Sequence, residues 1–391
     1  VGTMTVRYPV RDQVAIVGVG TTPYSRDSGK SEMGLVVDAA RAAIKDAGLT
    51  AKDVDGIAGT WVRAELAQAA LGIPAVNYYL NTRLPPFSQQ VVAGINAVFS
   101  GLCDTMLVYH CAYRMGGTSR SAGGDPFRVS RRGMPRPLSP FPDTITGAAC
   151  YASWANRYIE EYGASREDLG RIAINNRTNA GHNEHAAARK PLTMDEYLGA
   201  RMVRDPLTVF DMDYTIDGAD AFIITTAERA RDLPQKPVIV HAAVLGQTDH
   251  GVEEDLPDLT DTGLKVAADA LWARSELTLD DVDVFMPYDG FSVITLKWFE
   301  AIGYCGVGEA PGFVMDNWNE DADRIEIRGR VSVNPHGGSL SEGASQSAGH
   351  MREAVNQLRG QASGLQVEGA RTALVAPGGF FYNAGAMLFR T

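Results

Sequence analysis

The chain has 391 residues, 45% of them hydrophobic and 21% charged, with 36 Lys and Arg against 47 Asp and Glu for a net charge of -11. This is an ordinary globular composition with room for about two or three domains, and the acidic balance argues against nucleic acid or an anionic membrane as main partner. The four cysteines, Cys103, Cys111, Cys150 and Cys305, form no CxxC pair, no run of about 18 apolar residues is present, and no apolar stretch opens the chain, so a cytoplasmic protein with free thiols is expected.

In chain order, Gln13 to Gly20 reads as a buried strand, and Gly34 to Gly48 carries apolar residues at helical spacing and closes on a glycine. The pair Gly18 and Gly20 is not a dinucleotide fingerprint, because Pro23 stands where the phosphate-binding helix should begin and no third glycine follows. A short strand at Val54, a helix over Ser88 to Ser100 and a strand from Thr105 follow. Residues from about Met115 to Asp205 then read as an insertion, rich at first in Gly, Pro and Arg and helical around Ala148 to Tyr162.

The second part repeats the first in outline. Pro237 to Ala242 answers the first strand, Asp261 to Ser275 the first helix, and Asp281-Val-Asp the earlier Asp53-Val-Asp. Ala348 to Gly360 and the strand from Thr372 answer the Ser88 helix and the Thr105 strand. Two such halves predict an α/β protein of duplicated architecture, with helices buried between sheets and loops of both halves meeting at one place.

Candidate chemistry gathers in two places. Val284 to Pro287 ends an apolar run and passes into Tyr288-Asp289-Gly290-Phe291 before a helical pattern begins, which is how α/β enzymes present reactive groups. Asn334-Pro-His336-Gly337-Gly338 forms a second such turn. His182-Asn-Glu-His185 lacks a third ligand nearby, so no metal site is expected.

Several motifs carry a family resemblance: Asn175-Asn176-Arg177, Pro191-Leu-Thr193, Asp205-Pro-Leu207, Asp217-Gly-Ala219, the Tyr288 turn, and Asn334 to Gly338 followed by Ser341-Glu-Gly343. Spread in order over nearly the whole chain, they make it resemble the thiolase superfamily, in the branch related to sterol carrier protein x. The resemblance implies the thiolase fold: duplicated βαβαβαββ halves in a five-layer αβαβα arrangement. The N-terminal half would span 4–235, with its insertion at about 115–205, and the C-terminal half 236–391.

Thiolases use a cysteine at the start of the helix that here begins near Ser88, and a histidine in a Gly-His-Pro turn. This chain has Leu84-Pro-Pro-Phe87-Ser88 at the first place and Gly343-Ala344-Ser345 at the second. Without a thiolate and its base, ordinary thiolase chemistry is not expected. The run from Asn334 to Gly343 resembles instead the steroid side-chain-cleaving aldolases. That likeness implies retro-aldol cleavage of a β-hydroxyacyl-CoA, such as a steroid side-chain thioester, to a ketone and a short acyl-CoA such as propionyl-CoA.

It further implies a homodimer joined by a small OB-fold, zinc-ribbon-like accessory protein into a heterotetramer, with CoA as part of the substrate and no cofactor. A non-catalytic acyl-CoA-binding subunit and a thiolase with a relocated cysteine are the alternatives. For the cleavage, Tyr288, His336 and Tyr382 are the candidate acids and bases, with Asp289 beside Tyr288 either a catalyst or a cap for the helix at Ser292. Gly337 and Gly338 would let a thioester approach, and Arg128, Arg131 and Arg132 would hold CoA phosphates.

Overall fold

A computed structural model describes residues 6–82, 87–113, 148–250, 256–378 and 381–391. The first half runs through β1 (Val14–Thr21), α1 (Glu32–Asp46), β2 (Gly56–Thr60), α2 (Ala64–Leu71), β3 (Tyr78–Thr82), α3 (Ser88–Phe99) and β4 (Thr105–Tyr113). Helices α4 (Ala148–Tyr162), α5 (Arg166–Gly181) and α6 (Met194–Leu198) and a ribbon of β5 (Met202–Arg204) and β6 (Leu207–Thr208) precede its last strand, β7 (Asp217–Thr226). After the short α7 (Ala227–Ala230), the second half brings β8 (Val238–Gln247), α8 (Gly263–Trp272), β9 (Val284–Pro287), α9 (Ser292–Ile302), α10 (Ala310–Asp316) and β10 (Trp318–Asn319). It continues with β11 (Arg324–Ile327), β12 (Val331–Val333), a π-helical turn at Gly338–Glu342, α11 (Ala348–Arg359), β13 (Thr372–Ala376) and β14 (Asn383–Arg390).

The hydrogen-bonded order is β3-β2-β4-β7-β1 in the first half and β8-β14-β13-β9-β12 in the second, with β11 and β10 added at the far edge. Counted outward from β1 and from β8, the two orders match strand for strand. Antiparallel pairing of β1 with β8 joins the halves. Three apolar cores separate the layers: α1 and α2 pack on the outer face of the first half, α3 and α11 share a core with strands of both halves, and α8 and α9 cover the outer face of the second half with α4 and α5. This is the five-layer thiolase arrangement.

Local chemistry repeats as well. Thr50 and Asp53 form a capping box around a 3-10 turn at Ala51–Asp53, and Thr278 and Asp281 do the same around Leu279–Asp281. Hydrogen bonds from these threonines hold the Asp53 and Asp281 carboxyls below the usual carboxylate range. Two residues on, Asp55 accepts the backbone N–H groups of Asp104 and Thr105 at the start of β4. Asp283 likewise accepts those of Arg371 and Thr372 at the start of β13. The sequence Thr-x-x-Asp-Val-Asp is thus one device used twice, and the strands that follow begin at Gly56 and Val284, later than the repeat itself.

The glycines of β1 have a packing cause. Helix α1, capped by the Ser31 side chain, turns Leu35, Val36, Ala39, Ala40, Ala43 and Ile44 inward; burying each larger side chain is worth about 1.5–3 kcal/mol. Its backbone lies so close to the strand that a Cβ at Gly20 would overlap the Ala39 carbonyl oxygen, and one at Gly18 the Ala43 carbonyl oxygen. Gly20→Ala should therefore lower stability by about 1–3 kcal/mol in urea unfolding, since the obstacle is backbone that cannot swing aside. An unchanged midpoint would contradict this packing.

Candidate active site

Strand β9 lies between two parallel neighbours, with Ala376 of β13 opposite Pro287 and Val333 of β12 opposite Phe285. The turn beginning at Tyr288 therefore leaves the C-terminal edge of a parallel segment. The Tyr288 N–H donates to the Ala376 carbonyl at 3.0 Å, and Asn334 Nδ2 donates to the Pro287 carbonyl at 3.0 Å. Tyr288 is only 6% exposed. Its phenol folds back over Gly290, where a Cβ would overlap the hydroxyl, so a larger residue there would displace the phenol. Residues 211–214 thread between this turn and the π-helical turn: Asp213 N–H donates to the Gly290 carbonyl and Tyr214 N–H to the Ser339 carbonyl. Tyr151 of α4 stacks on Phe291 with centroids 4.2 Å apart, so the insertion roofs the turn.

Asp289 does not cap α9; the cap position is Phe291, and no side chain accepts from that helix end. The carboxylate instead turns inward and is fully buried. Oδ1 accepts the Ser339 N–H at 2.7 Å and lies 2.9 Å from His350 Nε2. Oδ2 accepts the Leu340 N–H at 2.9 Å and Asn176 Nδ2 at 2.6 Å. Such donors take the place of the water that a fully desolvated carboxylate has lost. Asp289 thereby fixes the β9 turn to the π-helical turn, to α5 and to α11, and it acts on Tyr288 by placing it.

Gly337 and Gly338 serve the same packing rather than leaving open space for a thioester. Their φ values are +106° and +60°, a Cβ at Gly337 would press on Ala180, and one at Gly338 would overlap the Asp289 carboxylate. Asparagines of α5 hold the adjoining strand end: Asn175 and Asn179 donate to the Val333 carbonyl at 3.1 and 3.0 Å. Asn183, just past that helix, donates to the His336 carbonyl at 2.9 Å and to Glu342 Oε1 at 2.8 Å.

His336 is fully buried, and its Nε2 lies 3.8 Å from Glu342 Oε2. Burial, with His350 and Arg352 nearby, holds its pKa well below the usual histidine value, so the ring is neutral. Behind it, Arg352 of α11 donates to Asp220 Oδ1 at 2.7 Å and to Tyr24 Oη at 3.1 Å, and pairs with Glu342. Burial opposes that charge, but the Glu342 and Asp220 carboxylates outweigh it and hold the guanidinium well above its ordinary pKa. Burial and then Asp220 push the Tyr24 hydroxyl well up. Asp220 belongs to the first half and Glu342 to the second, so Arg352 ties the halves together beside the site. Removing one such partner costs about 3–5 kcal/mol.

The remaining expectations divide. Tyr382 is half-buried at the turn before β14, where its carbonyl accepts the Thr248 N–H at 2.9 Å and its backbone packs on Gly263. Arg128, Arg131 and Arg132, like Leu84 to Pro86, lie outside the described residues. His110, the histidine of β4, is buried edge-on against Phe87 with centroids 5.7 Å apart. Burial pushes the Cys103 and Cys305 thiols up to about 12, far from a reactive thiolate. His350 and Asn176 were not singled out as site residues, although Asn176 sits inside a recognised motif; His350 follows the Ser341-Glu-Gly343 motif by seven residues and carried no turn signal of its own.

Comparison with known proteins bears on this geometry. The family model described as thiolase C-terminal domain-like matches residues 246–391. The 17-hydroxy-3-oxo-4-pregnene-20-carboxyl-CoA lyase of Mycobacterium tuberculosis is 33% identical over 96% of this chain and 99% of that protein. The steroid side-chain-cleaving aldolase of Thermomonospora curvata is 31% identical over 88% of this chain and 90% of that protein. Among solved structures, the Ltp2-ChsH2(DUF35) aldolase superposes with a TM-score of 0.85 at 28% identity, covering 98% of both chains. Human mitochondrial 3-ketoacyl-CoA thiolase shares the fold, with a TM-score of 0.70 at 14% identity over 98% of this chain and 100% of that one.

One buried acid near the site gives a pH signature. Glu353, one residue beyond Arg352, accepts from Gln357 Nε2 at 2.9 Å and from the Ser363 N–H at 3.2 Å. Burial and then the Glu342 charge push its carboxyl up to about 7. The unfolded value is near ~4.3, so the folded chain binds the extra proton between these values and loses that stability as pH rises through about 7. Glu353→Gln, which cannot ionise, should gain in melting temperature relative to the parent between about pH 5 and about pH 8. A difference that stays flat over that range would contradict the raised carboxyl.

Proposed function

This chain belongs to the thiolase-like family of the steroid side-chain-cleaving aldolases, an aldolase-type lyase and not a conventional thiolase, and from that premise we propose that it cleaves a β-hydroxyacyl-CoA bearing a steroid or comparably bulky acyl chain. The products are a ketone and a short acyl-CoA such as propionyl-CoA. In this reaction a base takes the β-hydroxyl proton and the Cα–Cβ bond breaks. The oxygen-bearing carbon becomes the ketone carbonyl, the bonding pair enters the thioester enolate, and the enolate carbon then regains a proton. No nucleophile attached to the protein and no redox group takes part, so the cofactor requirement ends with the CoA of the substrate.

The observation that best supports this reading is the presentation of Tyr288. Its phenol stands at the C-terminal end of β9 on a turn braced by a buried carboxylate, while the start of α3 carries Phe87 and Ser88 in place of a thiol. Tyr288 serves as the proton-transferring group of the cleavage. Ala344, in the turn after Ser341-Glu-Gly343, brings no hydroxyl of its own.

The chain acts as a homodimer with an OB-fold, zinc-ribbon-like subunit. The outer edge of β3 closes the sheet, and Tyr79 on it is 66% exposed; an edge of that kind invites pairing with a second chain. The partner subunit is supported by the two-component name of the Ltp2-ChsH2(DUF35) aldolase. The proposed place of work is the cytoplasm; separately, no helix among the described residues is long and apolar enough to cross a membrane.

The test is cleavage by the purified chain with its partner. A β-hydroxyacyl-CoA should yield ketone and shorter acyl-CoA without added free CoA, and Tyr288→Phe should lower turnover by about 10²–10⁴-fold at an unchanged melting temperature. Retained turnover in that variant, or no cleavage across a broad substrate set, would sink the reading.

A further inference from the structure

His350 lies on α11, far from the Tyr288 turn in sequence, yet it touches that turn twice. Its Nε2 stands 2.9 Å from Asp289 Oδ1, and facing a carboxylate that nitrogen carries the proton and donates. Its ring also lies against the Tyr288 ring, with centroids 6.2 Å apart and planes inclined at 51°. His336 closes another side edge-on, with centroids 4.8 Å apart. His350 is 1% exposed, and its Nδ1 has no hydrogen-bond partner among the described residues.

The carboxylate does not depend on this donor. Ser339 N–H, Leu340 N–H and Asn176 Nδ2 already serve Asp289, so the fold of the turn would survive without the imidazole. What His350 adds is a link between the residue that anchors the turn and the aromatic ring that the turn presents. A hydrogen bond at one edge restricts the turning of the imidazole, and the Tyr288 ring beside it is restricted in turn.

We propose that His350 is a positioning residue for the C–C cleavage: tethered to Asp289 through Nε2, it sets the orientation of the Tyr288 phenol toward the β-hydroxyl group. The proposal rests on the reading of Tyr288 as the proton-transferring group. Reacting groups must be held within about 0.5 Å of productive geometry, and a misplacement of about 1 Å can cost 10²-fold in rate.

The side chains of glutamine and asparagine separate this role from space filling. An amide at the end of Gln reaches the place of Nε2 and can still donate to Asp289, whereas the shorter Asn places its amide near Nδ1 and cannot. His350→Gln, His350→Asn and His350→Phe are compared with the parent for kcat, KM and melting temperature under the conditions in which the parent cleaves. The expected result is that the Asn and Phe variants lose about tenfold or more in kcat with KM within about threefold. The Gln variant should exceed the Asn variant in kcat by about fivefold or more, at a similar melting temperature.

Parental kcat in His350→Phe overturns the proposal. So does an equal loss in the Gln and Asn variants that follows their melting temperatures. Should the Phe variant fail to fold, the contrast between Gln and Asn decides. Tyr288→Phe is run alongside. Turnover lost there but kept in the His350 variants defeats the positioning role alone. Parental turnover in Tyr288→Phe defeats the reading of the phenol, and the role of His350 with it.

Discussion

The site depends on one fully buried carboxylate. Asp289 has no water to solvate it, so each of its oxygens must find donors in the protein, and it finds them in three separate elements. Two backbone N–H groups from the π-helical turn, an amide from α5 and an imidazole from α11 meet on it. Because a buried unpaired charge costs far more than a surface one, these elements cannot drift apart without a large loss. Everything the Tyr288 turn presents is located by that requirement, and the glycines at 290 and 338 exist to let the phenol and the carboxylate in.

A second charged assembly does for the two halves what Asp289 does for the turn. Arg352 bridges Asp220 of β7 and Glu342 of the π-helical turn, so the duplicated halves are joined at the site by an ion-paired cluster as well as by β1 and β8. Helix α11 carries both His350 and Arg352, two residues apart and so directed to different sides of the helix. One helix thus serves both the Tyr288 turn and the joint between halves. The thioester chemistry proposed for this chain needs only proton transfer, which such a scaffold could serve without a thiolate at the start of α3.

Much of the fold was legible in the sequence because it is written locally. The repeated Thr-x-x-Asp-Val-Asp, the glycine-closed helices and the apolar runs of β1, β4, β8 and β13 carry their signals within a few residues. The Tyr288 turn was legible for the same reason, as a strand end running into polar residues. The role of Asp289 was not, because its donors lie 50, 51, 61 and 113 residues away, and an Asp three positions before a helix also reads as a cap. The surroundings of His336 were hidden by the same distance: burial beside His350 and Arg352, which its own turn does not announce, holds its pKa well below the usual histidine value. Asn176 and His350 gain their meaning only once α5 and α11 are brought onto one carboxylate.

The central claim is that carbon–carbon cleavage proceeds through a thioester enolate without thiolysis, and its most direct test is the fate of one hydrogen. The purified enzyme with its partner is given a β-hydroxyacyl-CoA in D2O with no free CoA, and the released acyl-CoA is examined by mass spectrometry. A ketone in equal amount and an acyl-CoA carrying one deuterium at the carbon next to the thioester are the predicted products. Cleavage that begins only when free CoA is added, or an acyl-CoA without solvent deuterium, would contradict the account.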